Sequence, residues 1–345
     1  MCKEMNVMKR CLNAARWCLL LCVISTSLTL NAQQEAVKRK PSPAPTASKS
    51  PVSKSTANSP TKAKPKQVAA KSVKKTNHKI AKPHPPFNPA DLKSGDLNSA
   101  TVLVLDQSEG RPIFSKNIDH VTPIASITKL MTAMVVIDAG LSNQDMITIS
   151  EADKDQIKST TSRLSVGTTL SRRELLHLAL MSSENRAASA LTRAYPGGRA
   201  AFISAMNQKT LELNMLHTRF VDGTGLSREN VSTAQDLSKM VAAAYQYPLI
   251  REFTTENALT VRLYNGREAK YRNSNQLVTQ QEWHIGLSKT GYTNEAGRCL
   301  VMQTKMAGKA LIIVLLDAAG KSTRINDAIR IKQWVETRGT ESAAG

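Results

Sequence analysis

Apolar and polar positions divide the 345-residue chain into three textures. An apolar run from Trp17 to Val23, continuing to Leu30, is followed over 33–90 by residues without periodicity, and a regular pattern starts near residue 98. There Thr101-Val-Leu-Val-Leu-Asp106, a turn through Gln107–Gly110 and Pro112-Ile-Phe-Ser115 predict a β-hairpin. Ile124 to Ala139 is apolar and helix-forming, with Gly140 as its stop. Ser171-Arg-Arg-Glu174 is a capping box opening a helix through Leu175, Leu176, Ala179 and Leu180. Further helices are expected over 198–213 and 233–247, the second introduced by Ser232 with Gln235 three residues on and stopped before Pro248. The pattern then changes to strands over 259–264, 284–290, 298–306 and 310–317, with Gly308-Lys309 turning the last hairpin, and a final helix over 322–337 ends at Gly339. Two strands, a helical middle, three or more antiparallel strands and a closing helix imply an α/β body. Its antiparallel sheet is flanked by helices, a mostly helical half is inserted, and a cleft lies between the halves.

Charge changes the picture only in the first ninety residues. The formal net charge is +20, of which +3 lies in 1–32, +12 in 33–90 and only +5 in 91–345. Aromatics make up 4% of the chain and are nowhere interleaved with Arg or Lys as stacking platforms require, so the excess does not indicate nucleic acid. Lys3, Lys9, Arg10 and Arg16 ahead of the apolar run, with Leu30-Asn31-Ala32 before Gln33, predict a cleaved export signal over 1–32 and a periplasmic destination. The run is diluted by Ser25, Thr26, Ser27 and Thr29, which weakens a retained anchor, and Leu21 fits poorly before Cys22 in a lipid-attachment motif. Residues 33–90 hold ten of the 14 prolines among Lys, Ser, Ala and Thr, a composition that cannot bury enough apolar area to order itself. The expectation is a disordered basic tether, either a solvated spacer or a segment attracted to an anionic cell-envelope surface. Residues 91–339 are expected to form one catalytic domain, and 340–345 a disordered tail. Four of the five cysteines lie within the first 32 residues, and the six histidines lack ligand spacing, so no metal or other cofactor is expected. Cys299 is expected to be a small buried hydrophobe.

Three short motifs stand in the patterned part: Ser126-Ile-Thr-Lys129, Ser183-Glu-Asn185 and Lys289-Thr-Gly291. None is specific alone, since Ser-x-x-Lys recurs at Ser59–Lys62 and Ser72–Lys75 and Ser-x-Asn at Ser115–Asn117. Residues three apart share one helix face, so the Lys129 amine can reach the Ser126 hydroxyl as a base reaches its nucleophile. A lysine does that work only when burial or a nearby cation depresses its pKa, and Lys289 could be that cation. Ser183 and Asn185 lie between two helices, where they either join them or project into the cleft. Strand alternation sends Lys289 and Gly291 to one face and Thr290 to the other.

Together, in this order, the motifs resemble those of the serine penicillin-recognising enzymes. PIASITKLMTAMVVIDAG, LALMSSENRAASAL, TRFVDGTGLS and KTGYTNEAGRCLVM are similar to the D-alanyl-D-alanine endopeptidase (penicillin-binding protein 7 type) branch of the low-molecular-mass D-Ala-D-Ala peptidases, over about 98–338. The resemblance implies the serine β-lactamase/D,D-peptidase-like fold, action on peptidoglycan stem peptides, and β-lactams as covalent inhibitors. It implies Ser126 as nucleophile, Lys129 as its base and Ser183 as proton relay. Asn185, Lys289, Thr290 and Gly291 would bind substrate, with the backbone N–H groups of Ser126 and Tyr292 as oxyanion hole. The D-Ala-D-Ala carboxypeptidase activity remains the alternative, and a non-catalytic wall-binding protein a more distant one. A class A β-lactamase would need a Glu four residues before the Asn of Glu-Leu-Asn, but Thr210 occupies that place before Asn214.

Overall fold

The chain falls into two units, 1–78 and 79–345. The computed structural model describes residue 88 and residues 90–344, with side chains to 339. The expected export signal, and the expected tether apart from residues 88 and 90, lie outside the described residues.

The first hairpin is β1 (Ser99–Asp106) and β2 (Arg111–Lys116). Then follow β3 (Thr122–Pro123), α1 (Thr128–Asp138), β4 (Met146–Thr148) and β5 (Thr169–Ser171). The helical half continues with α2 (Arg172–Met181), α3 (Asn185–Arg193), α4 (Gly198–Glu212), β6 (Val231–Ser232), α5 (Ala234–Ala244) and α6 (Pro248–Thr255). A small ribbon, β7 (Ala258–Arg262) and β8 (Glu268–Arg272), leads to the long strands β9 (His284–Thr293), β10 (Gly297–Met306) and β11 (Lys309–Ala318), and α7 (Thr323–Ala344) closes the chain.

The main sheet has the order β2-β1-β11-β10-β9, antiparallel throughout, so the N-terminal hairpin and the C-terminal strands share it. Both faces are covered, which is why Leu311–Leu316 reads as an unbroken apolar run rather than an alternating one. Leu103, Val301, Ile312 and Val314 face the helical core, while Val102, Leu300, Ile313 and Leu315 pack under Ile325, Ile331 and Trp334 of α7. Every residue of α1 from Thr128 to Val136 is buried, as befits a helix apolar all round at the centre of the bundle. Its two edge strands are β2 and β9.

Several boundaries move for identifiable reasons. The helix expected from Ile124 begins at Thr128, because Ala125–Ile127 forms a tighter 3₁₀ turn first. The cap of α5 is Thr233, whose hydroxyl accepts from the Asp236 N–H, while Ser232 pairs with Thr122 in β6 and its hydroxyl meets that of Thr218. Pro248 does not merely stop a helix but begins α6, where its missing N–H costs nothing. Instead of one strand over 259–264 there is a ribbon, and β9 runs three residues further than expected, to Thr293. The last helix passes Gly339 and continues to Ala344, into the expected disordered tail. Gly339 is needed for a close approach, since a Cβ there would sit 2.7 Å from that of Ala307 in the β10–β11 turn.

Candidate active site

Ser126 sits half-buried in the turn ahead of α1, and its backbone is held in an unusual place. Ala125 has φ +47°, a left-handed conformation that a residue with a Cβ adopts only when its surroundings fix it. The surroundings are two glycines. A Cβ on Gly225 would lie 2.0 Å from the Ala125 carbonyl oxygen, and one on Gly291 would lie 3.0 Å from that of Ile124 and 3.2 Å from the Ser126 nitrogen. The turn that carries Ser126 is therefore wedged between the 222–227 loop and β9.

One turn into the helix, Lys129 is fully buried. Its Nζ donates to Ser126 Oγ at 2.9 Å, Asn185 Oδ1 at 2.7 Å and the Thr224 carbonyl at 2.6 Å, using all three protons of an ammonium. Burial lowers its pKa to about 8, against the opposing carboxylates of Asp222 and Glu184. Burial is the leading cause, and the repulsion between Lys129 and the cation expected in Lys289 shows on Lys289. As the free amine, Lys129 has a lone pair to take the Ser126 proton.

Lys289 is also buried, and its Nζ donates to Ser183 Oγ and to the Thr290 carbonyl, both at 2.9 Å. Burial first, then the Lys129 and Arg324 cations, push its pKa well below the usual lysine value. Ser183 stands just past the end of α2 with φ +63°, and Asn185 is the first residue of α3. The Asn185 amide donates to Thr160 Oγ1 at 3.3 Å, an orientation that leaves its oxygen for Lys129. Thr160 is in turn fixed by the Asp155 carboxylate. So Ser126, Lys129 and Asn185 form one hydrogen-bonded group and Ser183 with Lys289 a second, the two drawn from three segments.

The remaining motif residues line its edge. Alternation holds: Lys289 pairs with Val301 and Gly291 with Cys299, whereas Thr290 pairs with Leu300. The Thr290 hydroxyl donates to Ser274 Oγ at 2.8 Å. The Tyr292 ring is half-exposed under the Arg298 guanidinium, 4.3 Å from its centroid, and its hydroxyl donates to Asn294. Cys299 is buried with its thiol pushed up to about 11 by burial, which suits a packing role. Glu212-Leu-Asn214 ends α4 at the surface, with Glu212 paired to Lys209 and Asn214 at φ +54°, a helix terminator rather than part of the site.

Residues outside the three motifs complete the arrangement. The Asp222 carboxylate accepts from Thr224 N, Thr224 Oγ1, Gly225 N and Ser227 N at 2.5–2.8 Å, which shapes the loop that presents the Thr224 carbonyl to Lys129. Asn230 donates to the Asp222 carbonyl and to Thr128 Oγ1, tying that loop to α1. Asp222-Gly-Thr-Gly225 is readable as a turn, but nothing local tells that it carries an acceptor for Lys129. Arg324, at the start of α7, donates to the Gly291 carbonyl at 3.0 Å, and its buried Nε has no hydrogen-bond partner among the described residues.

Because the Asp222 charge raises the Lys129 pKa, Asp222→Asn is expected to move the acid limb of the acylation pH profile to lower pH. The new amide also meets the Ser227 N–H donor to donor, so the plateau rate should fall by roughly tenfold. Acylation by a fluorescent penicillin, timed at several pH values, checks both. A limb that stays put or moves up would refute the electrostatic assignment.

The sequence matches the family described as D-alanyl-D-alanine carboxypeptidase over residues 87–320. It is 47% identical over 243 residues to a D-alanyl-D-alanine endopeptidase of Pseudomonas aeruginosa, covering 70% of this chain and 78% of that one. An Escherichia coli protein of the same name is 45% identical over the same shares. Among solved structures, the Streptomyces K15 DD-transpeptidase superposes with TM-score 0.64 at 27% identity, over 70% of this chain and 98% of that one. Penicillin-binding protein D2 of Listeria monocytogenes, in its cefotaxime-bound form, gives 0.61 at 29%, over 68% and 96%. With the match spanning well over half its length, the chain belongs to the D-alanyl-D-alanine carboxypeptidase family of serine D,D-peptidases.

Proposed function

We propose that the protein is a bacterial envelope D,D-peptidase that opens D-alanyl cross-links in peptidoglycan through an acyl-enzyme on Ser126. The observation that carries this is Lys129 Nζ at 2.9 Å from Ser126 Oγ, in a setting that leaves a usable share of free amine near neutrality. Lys129 takes the hydroxyl proton as Oγ attacks the D-Ala carbonyl, and the backbone N–H groups of Ser126 and Tyr292 hold the developing oxyanion. Ser183, its hydroxyl bonded to Lys289, passes a proton to the departing amine. Asn185 and Thr290 bind the stem peptide, Gly291 leaves room for its backbone, and water then hydrolyses the ester. A β-lactam acylates in the same way, but its leaving amine stays attached.

The 47% and 45% identical relatives carry the endopeptidase name, whereas carboxypeptidases of Bacillus subtilis and Streptomyces stand at 27% and 29%. Both reactions expel an amine next to a carboxylate, and the Arg324 guanidinium, whose Nη1 donates to the Gly291 carbonyl on β9, brings a cation to attract that carboxylate. Arg324→Gln is expected to raise KM for peptide about tenfold with kcat changed less than threefold. An equal loss in kcat would remove Arg324 from binding. The reading also takes 1–32 as an export signal to the periplasm and 33–90 as a tether on the anionic envelope. Purified cross-linked and uncross-linked muropeptides, separated after incubation, test the reaction: loss of dimers supports it. Loss of pentapeptide alone would make the enzyme a carboxypeptidase.

A further inference from the structure

The β7–β8 ribbon has two unlike faces. Val261, Ala269 and Tyr271 are buried in the core, and the alternate positions Arg262, Lys270 and Arg272 are exposed together with Glu268, which stands opposite Arg262. The turn adds exposed Arg267 and Tyr264, the latter 74% accessible. None of the four cations forms an ion pair among the described residues, whereas cations of the helical half are matched, as Arg193 and Arg199 are to Asp153 and Lys209 to Asp138. Lys270 and Arg272 lie two residues apart on one face, about 7 Å, where like charges repel. Glu268 is the single anion on the ribbon's exposed positions, against four cations there.

The ribbon also abuts the site. Two residues beyond Arg272, Ser274 accepts from the Thr290 hydroxyl, and its N–H donates to the Met181 carbonyl at the end of α2, just ahead of Ser183. Arg163 donates to the Lys270 carbonyl, and the neighbouring Ser162 hydroxyl donates to Glu184. A chain leaving the cleft on this side passes a strip of unpaired cations with an exposed tyrosine at its end.

We propose that the exposed face of β7–β8 docks the peptidoglycan strand outside the cleft, its cations meeting the free carboxylates of neighbouring stem peptides. This rests on the peptidoglycan reading above. It gives the folded domain its own hold on the polymer, separate from that expected of the basic segment over 33–90.

The test uses the full chain. Lys270→Glu/Arg272→Glu and the neutral Lys270→Gln/Arg272→Gln are combined with Ser126→Ala for equilibrium binding to purified sacculi, and kept with Ser126 for cross-link release. The charge-reversed pair is expected to bind sacculi roughly tenfold more weakly at low salt and the neutral pair roughly threefold, with the differences closing as salt rises. Cross-link release from sacculi should fall in step. Acylation by a fluorescent penicillin, too small to reach the ribbon, should stay within twofold of the parent. Unchanged sacculus binding would overturn the proposal, as would a parallel loss of penicillin acylation or a loss seen only on anionic phospholipid vesicles. If the parent enzyme binds sacculi but releases no cross-links, the activity fails while the docking surface is still read by the binding arm.

Discussion

Lys129→Met is expected to slow acylation by penicillin roughly a thousand- to ten-thousandfold, the range spanned by loss of a positioned general base. Methionine nearly fills the same buried volume but has no proton acceptor for Ser126, and it leaves Asn185 Oδ1 and the Thr224 carbonyl without their donor. Those two lost partners destabilise, while removal of a buried amine stabilises, so the fold should survive to be assayed. Ser126→Ala sets the floor: mass spectrometry should find no adduct at all. If Lys129→Met acylated within tenfold of the parent, the proton would have to leave Ser126 by another path, and Ser183 with Lys289 would become the place to look.

The same geometry fixes a pH dependence. With a pKa of about 8, Lys129 is free amine in about a tenth of molecules at pH 7 and in about nine-tenths at pH 9. Only that form accepts a proton, so the acylation rate should climb about tenfold between those values and then level off. A rate that fell over this interval would mean that the protonated form is the active one.

What the sequence made legible follows from distance along the chain. Ser126 and Lys129 are one helical turn apart, so their contact could be derived from spacing alone, as could the Ser171–Glu174 capping box. Lys289 and Ser183 are 106 residues apart and meet because β9, an edge strand of a sheet that pairs both ends of the chain, lies against the helical half. Resemblance put both residues in one site, but neither it nor periodicity gave their contact. Asp222, Asn230 and Arg324 were missed because each acts through a backbone carbonyl or a loop shape rather than a recognisable pair of side chains. Pro248 and Gly339 misled for a related reason. Each is a helix breaker by propensity, but one opens a helix and the other lets a helix touch the β10–β11 turn.

The strain at Ala125 makes the second large prediction, Gly225→Ala. Gly225 has φ +81°, and the added methyl would come within 2.0 Å of the Ala125 oxygen, 2.5 Å of its carbonyl carbon and 2.9 Å of the Ser126 nitrogen. These are backbone atoms, so no rotamer change can relieve the overlap. The loop cannot retreat either, because the Asp222 carboxylate holds Thr224, Gly225 and Ser227 together, and Thr132 bonds the Gly223 carbonyl. Either the loop or the nucleophile's turn must move, at a cost of about 3 kcal/mol or more. Both movements separate Lys129 from one of its partners, so penicillin acylation should drop at least about a hundredfold, in line with the sensitivity of catalysis to displacements near 1 Å. Gly266→Ala is the control: it has φ +77° with nothing within 4 Å of the added carbon, so it carries only the conformational penalty of about 1 kcal/mol. Thermal unfolding and acylation rate, measured on both variants, separate the two contributions. Should Gly225→Ala prove as mild as Gly266→Ala in both measurements, the turn carrying Ser126 would be less tightly wedged than its contacts require, and Ala125 would need another explanation for its left-handed backbone.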